Sequence, residues 1–364
     1  MVFPSDISRN SLFLSGSLPC PACKNTEGAV TKAASQNSWE EIMIKVLLDK
    51  LVSYEAGVPQ SYGALRIYPM LGKAYCPHDY ISLRKALEAG EIHISELSQS
   101  GSVPELKVIN QGKHTVLILA GEELRGAKQN RILNTTVLIA PLSETILPVT
   151  CTEAGRWSYQ SKEFSESGNM MQPSLKSKLV HSVSASYQMD RSARSDQHEV
   201  WADIAKLQMD HASPSDTGAM ADVYETSKDK LEDFQKSFPL TSGQCGIYAL
   251  IGKRFAGLDL VSSPEVWQDL YDKILRSYAM DALRSQEQCA PQDDSRPSLE
   301  ELLKDARLSE FDGIGLGKEL RLEKPNLTGS ALIWNDHPAH LSVFPHLGNE
   351  SRMNNERFHR GMRG

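Results

Sequence analysis

The chain has 364 residues, of which 40% are hydrophobic and 23% are charged, an ordinary globular composition. Its net charge of −7 argues against a general nucleic-acid-binding protein, which normally carries a basic face. No apolar run approaches the ~20 residues that span a bilayer, and six cysteines in so long a chain do not suggest a disulfide framework. The sequence therefore predicts a cytoplasmic protein without a membrane segment and without general nucleic-acid binding.

The composition changes along the chain. Residues 1–37 are rich in Ser, Pro and small polar residues, which is typical of a segment without a packed core. Order is predicted to begin at Ser38, which makes a capping-box pattern with Glu41. The predicted parts are a disordered leader (1–37), a single α+β domain (38–347, strand-rich over 60–157 and helical or mixed over 170–347) and a disordered tail (348–364).

Short apolar runs rich in β-branched residues predict strands in the first half of the chain. A helix-like segment at Ser82–Glu88 interrupts them. Pro148 predicts that its own strand is an edge or bulged strand, because proline cannot donate to a ladder. The predicted strands are Leu65–Met70, Ile92–Glu96, Leu106–Ile109, His114–Ala120, Ile132–Ala140 and Thr145–Thr150.

Helical patterns dominate the middle of the chain, and strands return towards its end. Ser263 and Pro264 predict the start of the clearest helix, whose aromatic stripe is typical of core packing. The whole pattern predicts an α+β fold with a strand-rich N-terminal half, a helical middle and a closing β-hairpin packing back on the sheet. The other predicted elements are helices at Val200–Leu207, at Ala221–Phe234 and after Ser298, strands at Gln244–Ile251 and Phe255–Val261, and a hairpin of Gly329–Trp334 with His340–Phe344.

The segment Gly121–Arg131 concentrates charge between two predicted buried strands. A rigid scaffold often presents binding or catalytic groups from such a connection. Its cations suit phosphate, and its acids suit sugar hydroxyls or general-base catalysis. The alternative is that these acids and cations only pair with one another to hold a hairpin. The candidates are Glu122 and Glu123 as catalytic groups and Arg125, Lys128, Gln129, Asn130 and Arg131 as ligand-binding groups.

A second polar cluster follows at Cys151–Trp157. Glu153 and Arg156 add charge, and Trp157 offers an aromatic face that could stack on a base. If the intervening strands pair as a meander, this cluster returns to the same sheet edge as Gly121–Arg131, and both contribute to one pocket. Cys151 is a candidate nucleophile, although a cysteine at a strand end is more often a small buried hydrophobe.

Other motifs give weaker indications. His337, His340 and His346 have loose metal-ligand spacing without acidic or cysteine partners close by in sequence, and the pair Cys20 and Cys23 has no second CxxC motif. The chain has no Walker loop, no GxGxxG after a strand, no GxSxG elbow and no HExxH motif. The sequence therefore predicts neither a resident metal nor a cofactor.

Two segments, Leu124–Thr136 and Pro148–Trp157, resemble the core of an uncharacterised family, the ARG- and rhodanese-phosphatase-superfamily-associated protein domain. The family name implies association with ADP-ribosylglycohydrolases and phosphatases, and so a place in ADP-ribose or NAD-linked metabolism. The resemblance points to the residues of the two polar clusters. It covers residues 55–347 and is supported by Ser100–Glu105, Asp196–Trp201, Tyr278–Ala282 and His340–Ser342.

The clusters and the resemblance together predict that the protein binds an ADP-ribose-like or other phosphorylated nucleotide. Hydrolysis of that ligand is a further hypothesis. One alternative is a non-catalytic module that docks a partner enzyme, such as an ADP-ribosylglycohydrolase, or a second copy of the chain. A weaker alternative is a metal-dependent hydrolase that uses the acids and the C-terminal histidines. In the first hypothesis the phosphate contacts are Arg125, Lys128, Arg131 and Arg156, Glu122 or Glu123 acts on water or ribose, and Trp157 stacks.

Overall fold

The computed structural model describes residues 47–49, 51, 54–72, 79–97, 104–285, 287 and 298–346. These residues form helices and three β-sheets, which confirms the α+β class. The predicted leader (1–37), the predicted tail (348–364) and both predicted limits of the domain lie outside the described residues. Within the described ranges, no helix has the length and apolar character needed to cross a membrane.

Strands occupy both ends of the described chain. Those before the helical middle are β1 (Tyr54–Ala56), β2 (Gln60–Tyr62), β3 (Leu65–Gly72), β4 (Tyr80–Ser82), β5 (Ile92–Glu96), β6 (Glu105–Asn110), β7 (Thr115–Ile118), β8 (Glu122–Gly126), β9 (Arg131–Leu133), β10 (Val137–Ile139), β11 (Ser143–Cys151) and β12 (Phe164–Met170). Those after it are β13 (Gln244–Ile251), β14 (Arg254–Val261), β15 (Arg307–Asp312), β16 (Lys318–Lys324), β17 (Leu327–Trp334) and β18 (His337–Pro345).

Helix starts agree with the capping residues in the sequence. The side chains of Ser82, Ser263 and Ser298 each accept a backbone N–H three residues further on, and the caps at Ser263 and Ser298 were predicted. The carboxylate of Asp281 caps a helix from a distance, since it accepts the N–H and the hydroxyl of Ser174 at 2.7 and 2.6 Å. The helices are α1 (Leu83–Glu88), α2 (Pro173–Asp190), α3 (Gln197–Asp210), α4 (Met220–Thr226), α5 (Lys228–Ser237), α6 (Pro264–Ala282) and α7 (Leu299–Leu303).

The largest sheet has nine antiparallel strands in the order β1-β3-β13-β14-β18-β17-β16-β15, with β2 paired to β3. A six-stranded antiparallel sheet has the order β12-β8-β9-β11-β6-β5. A three-stranded sheet has the order β10-β7-β4, in which β4 and β7 are parallel. The predicted closing hairpin is β17–β18, and because β18 also pairs with β14, the hairpin is an integral part of the nine-stranded sheet.

The apolar face of α6 lies at the centre of the largest hydrophobic cluster. Trp267, Leu270, Ile274 and Tyr278 are fully buried there, together with side chains of α2 and β13. Burying one such side chain stabilises the fold by about 1.5–3 kcal/mol relative to leaving it exposed. The aromatic stripe of this helix is therefore core, as the sequence predicted.

The predicted strand Ile132–Ala140 is divided between two sheets. Its middle residues, Asn134–Thr136, leave the ladder and bond to distant parts of the chain. Thr135 donates to Glu319 Oε1 at 3.0 Å, and Thr136 hydrogen-bonds with His340 Nδ1 at 2.8 Å. These bonds place β9 in the six-stranded sheet and β10 in the three-stranded sheet, which the apolar pattern alone does not show.

Pro148 was predicted to lie on an edge or bulged strand, and it lies in a part of β11 that has a ladder partner on one side only. The strand β11 pairs with β6 up to Pro148 and with β9 from Val149 onwards. Proline thus stands where β11 changes partners, and its carbonyl still accepts the N–H of Asn134 at 3.1 Å. A changeover of this kind tolerates a residue without an N–H donor.

Candidate functional site

A cavity of about 1020 Å³ lies beside the hairpin formed by β8 and β9. Its walls come from that hairpin, from the segment after β11, from β12 and from α4, α5 and α6. Charged, amide and hydroxyl side chains provide most of the lining. We call this space the polar cavity, and its lining includes Arg125, Asn130, Glu153, Asn169, Lys228 and Arg276.

The two polar clusters found in the sequence meet at this cavity. Cys151 pairs with Arg131 in the β9–β11 ladder, so the segment after β11 returns beside the hairpin. The backbone N–H of Asn130 then donates to Glu153 Oε2 at 3.1 Å, which joins the clusters directly. Of the predicted site residues, those that line the cavity are Arg125, Asn130, Glu153 and Arg156.

Arg156 and Glu153 form an ion pair that holds the hairpin turn in place. The Nη2 of Arg156 is 2.6 Å from Glu153 Oε2, and its Nη1 donates to the carbonyl of Ala127 at 2.8 Å. Ala127 has a φ of 41°, a left-handed conformation that needs such support. Burial alone would raise the pKa of Glu153, but the hydrogen bonds from Arg156, Asn130 and Thr217 lower it below its ordinary value. Glu153 is therefore an ionised carboxylate on the cavity wall, and Arg156 is largely committed to supporting it.

Glu123 lies behind the cavity wall and does not line it. Its carboxyl group is fully buried, and it accepts from Thr152 Oγ1 at 3.0 Å and from Asn169 Nδ2 at 3.2 Å. Burial raises the pKa of Glu123, more than these neutral donors lower it. The carboxyl group thus acts on the cavity through Asn169, whose side chain it orients.

Glu122 belongs to a buried ion-pair network on the other face of β8, since neighbouring strand residues point to opposite faces. Lys273 Nζ lies 2.5 Å from Glu122 Oε1 and 2.5 Å from Glu166 Oε1. The second oxygen of Glu122 accepts the N–H of Leu119 at 3.0 Å. Both carboxylate oxygens of Glu122 therefore have partners inside the protein, which makes it a structural residue. Its predicted catalytic role has no support in this position.

Cys151 does not have the surroundings of a nucleophile. Burial raises the pKa of its thiol to about 11, although the nearby Arg131 acts in the opposite direction. The Nη1 of Arg131 contacts the Cys151 sulfur and donates to Gln129 Oε1 at 2.8 Å, and its Nη2 lies 3.6 Å from Glu96. Arg131 and Gln129 lie inside this buried cluster and do not line the cavity, so we remove all three residues from the candidate ligand contacts and catalytic groups.

Lys128 and Trp157 lie outside the polar cavity. The Lys128 ammonium is 5.1 Å from the ring centroid of Trp157 and 5.2 Å from that of Tyr159. Both rings are about half exposed, at 50% and 52%. Because the indole ring faces Lys128, it is not placed to stack on a ligand in the cavity.

Most of the cavity lining comes from residues that the sequence did not single out. Ser167 and Asn169 stand on an irregular stretch of β12, where the pairing with β8 shifts between Glu166 and Met170. Lys228 and Arg276 come from α5 and α6. Arg276 lies on the same helix as the apolar stripe, and its side chain is partly exposed. The glycine in Ser167-Gly-Asn169 is the one local signal of this irregularity.

The C-terminal histidines have separate surroundings. His340 is buried between Thr136 and Asp259, His346 packs against the ring of His181, and His337 bonds to the backbone of the hairpin turn. No group of three or more His, Cys, Asp or Glu side chains in the described ranges is arranged to hold a metal ion. The metal-hydrolase alternative loses its proposed ligands, because Glu122 is bound to Lys273 and these histidines do not form one cluster.

Comparison with known proteins places the chain in a family. It matches the ARG and Rhodanese-Phosphatase-superfamily-associated Protein domain over residues 53–344, and it belongs to this family. The resemblance drawn from Leu124–Thr136 and Pro148–Trp157 is thereby confirmed. The family description associates such domains with ARG and rhodanese-phosphatase proteins. No curated protein and no solved structure matches the chain.

Proposed function

We propose that the polar cavity binds a small phosphorylated ligand of the ADP-ribose type. Its volume, about 1020 Å³, is at the upper end of the range of ordinary small-molecule sites. Its lining is too polar for a hydrophobic ligand, whereas phosphates and sugar hydroxyls need cations, amides and carboxylates. The cytoplasmic location and the homo-oligomeric state that the sequence predicts remain predictions.

The observation that carries the proposal is the state of Arg125. Its side chain is exposed on the cavity wall and makes no ion pair with the residues that the structure describes. By contrast, the buried cations Lys273 and Arg156 are paired with carboxylates. A planar guanidinium without a carboxylate partner, in a concave polar site, has the geometry to bind phosphate bidentately.

The proposal covers binding and stops short of hydrolysis. Glu122 is held by Lys273, Glu123 is enclosed behind Asn169, and the Cys151 thiol is protonated at neutral pH. Glu153 faces the cavity, but its lowered pKa makes it a weak general base. None of the predicted acids therefore combines access to the cavity with the basicity that hydrolysis needs.

Replacing Arg125 with methionine tests this function. Titration calorimetry with ADP-ribose is expected to show binding to the wild-type protein and at least about tenfold weaker binding to Arg125→Met, because a hydrogen-bonded charge contributes about 1.5–3 kcal/mol. Arg194→Met is the matched control, since Arg194 is an exposed arginine outside the cavity. No heat with the wild-type protein, or equal affinity of Arg125→Met and wild type, would rule the proposal out.

A second candidate function is docking of a partner enzyme through Trp157 and Tyr159. Two half-exposed aromatic rings on one loop, with a lysine between them, resemble the aromatic anchors of protein interfaces. The family's association with ARG and rhodanese-phosphatase proteins points in the same direction. Such a partner, including one of the ADP-ribosylglycohydrolase type, would contact this loop and leave the cavity open.

Trp157→Ser separates the second candidate from the first. We expect this variant to lose co-purification with a partner of the ADP-ribosylglycohydrolase type, while its thermal unfolding stays like that of the wild type. Met209→Ser serves as control, because Met209 is also an exposed large apolar residue and belongs to α3. Retained co-purification of Trp157→Ser would exclude docking through this loop.

A further inference from the structure

We infer that the polar cavity recognises the ribose phosphate part of its ligand and contains no subsite for a nucleobase. This inference rests on the proposed function and narrows it to one chemical class, phosphorylated sugars. Proteins that hold a base normally stack it on an aromatic ring or a guanidinium plane, and hydrogen-bond its edge. A base subsite in the polar cavity would therefore need an accessible aromatic ring or guanidinium plane among the lining side chains.

Among the described residues that line the cavity, the one aromatic side chain is Tyr224, and its ring is closed to a ligand. It is 1% exposed, its hydroxyl donates to the carbonyl of Met170, and the Arg276 guanidinium lies 5.5 Å from its ring centroid. Trp157, the aromatic residue best suited to stacking, faces Lys128 outside the cavity. A base entering the cavity would therefore leave water without gaining an aromatic partner. Its stacking partners among the described lining residues would be arginines such as Arg125 and Arg276, and a guanidinium covered by a base would be lost to the phosphate.

Two amides in the cavity suit the hydroxyls of a sugar. Asn169 gives its Nδ2 to Glu123, which leaves Oδ1 as an acceptor with no partner in the described part of the chain. Asn130 Oδ1 accepts from Gly126 and Arg156, which leaves Nδ2 as a donor without an acceptor there. The orientation of each amide is set by these bonds. One acceptor and one donor thus face the cavity, and a hydroxyl group can satisfy either.

Two guanidinium groups offer phosphate contacts beside these amides. Arg125 pairs with Ser165 in the β8–β12 ladder, and Arg276 Nη1 donates to the carbonyl of Gly168 at 3.4 Å. These two points on β12 are about 10 Å apart at the usual rise of a strand. Arg276 makes no ion pair with the described residues, and neither does Arg125. A phosphorylated sugar offers a phosphate for either arginine and hydroxyls for Asn130 and Asn169, all of which line the same cavity.

Calorimetric titration of the full-length protein with ribose 5-phosphate, ADP-ribose and adenosine tests the inference. We expect ribose 5-phosphate to bind within about tenfold of ADP-ribose, and adenosine to give no heat. Arg276→Met should weaken ribose 5-phosphate and ADP-ribose by the same factor, whereas Arg194→Met should change neither. Trp157→Ser should leave the affinity for ADP-ribose unchanged.

The outcomes separate this inference from the proposed function. If ADP-ribose binds and depends on Arg125, but adenosine competes with it and ribose 5-phosphate does not, the cavity holds a base and the inference is overturned alone. A tenfold or greater loss of ADP-ribose affinity in Trp157→Ser would overturn it in the same way. If neither phosphorylated compound binds, the proposed function and the inference both fail.

Discussion

Replacing Lys273 with methionine is expected to lower the free energy of unfolding by about 3–5 kcal/mol, because the change leaves the buried Glu122 without a cation and leaves Glu166 with Arg84 alone. Lys273 is fully buried and lies 2.5 Å from both Glu122 and Glu166. Methionine keeps the length of the side chain, so the loss reports on charge more than on packing. Urea denaturation followed by circular dichroism measures the difference.

An exposed ion pair of the same type gives the control. Lys85 lies 3.1 Å from Asp269 and is 48% exposed, so Lys85→Met should cost less than about 1 kcal/mol. Adding Glu122→Gln to Lys273→Met should restore part of the lost stability, since it removes one unpaired charge. If Lys273→Met is as mild as Lys85→Met, Glu122 is not a structural residue and its role at the site must be reconsidered.

The stability of the protein is expected to fall as the pH rises through the titration of Asp281. Burial raises the pKa of Asp281 to about 6 from its ordinary value of 3.8, although the hydrogen bonds from Ser174 act in the opposite direction. The folded state therefore keeps a proton that the unfolded state releases, so stability is lost between about pH 4 and 6 and is constant above that range. The shift corresponds to about 3 kcal/mol.

Comparison of the wild-type protein with Asp281→Asn isolates this effect from the other buried acids. The stability of the wild type relative to this variant should decrease by about 2 kcal/mol between pH 4 and 7, measured by urea denaturation. Asp312→Asn is a control of opposite sign, because the hydrogen bond from Lys318 lowers the pKa of the exposed Asp312. If the free energy of unfolding of the wild type, relative to that of Asp281→Asn, stays constant or grows as the pH rises, the pKa of Asp281 is not raised in the folded state.

Local patterns were sufficient for many secondary-structure elements. The strands β13 and β14 follow the predicted runs at Gln244–Ile251 and Phe255–Val261, and α6 begins at Pro264 after its Ser263 cap. In these segments the apolar period, the turn residues and the cap all lie within a few residues of one another. Elements without such signals, such as α2, β12, β15 and β16, were not individually predicted.

The charged segment Gly121–Arg131 shows why the site was harder to predict. It reads as a polar loop, yet most of it is a buried hairpin, because its charges are satisfied by remote partners. Glu122 is paired with Lys273, 151 positions away in the chain, and Arg131 lies beside Glu96. No local pattern distinguishes these residues from Arg125, which makes no such pair in the described structure. The structure therefore selects Arg125 and Asn130 within the segment, and adds Asn169 and Arg276 from elsewhere.

A crystal structure of the protein grown with ADP-ribose would test most directly whether the polar cavity binds a phosphorylated ligand. The expected result is phosphate within hydrogen-bond distance of Arg125 or Arg276, with ribose hydroxyls on Asn130 and Asn169. Density for the ligand outside the cavity, for example with its base stacked on Trp157, would contradict the assignment of this cavity as the binding site.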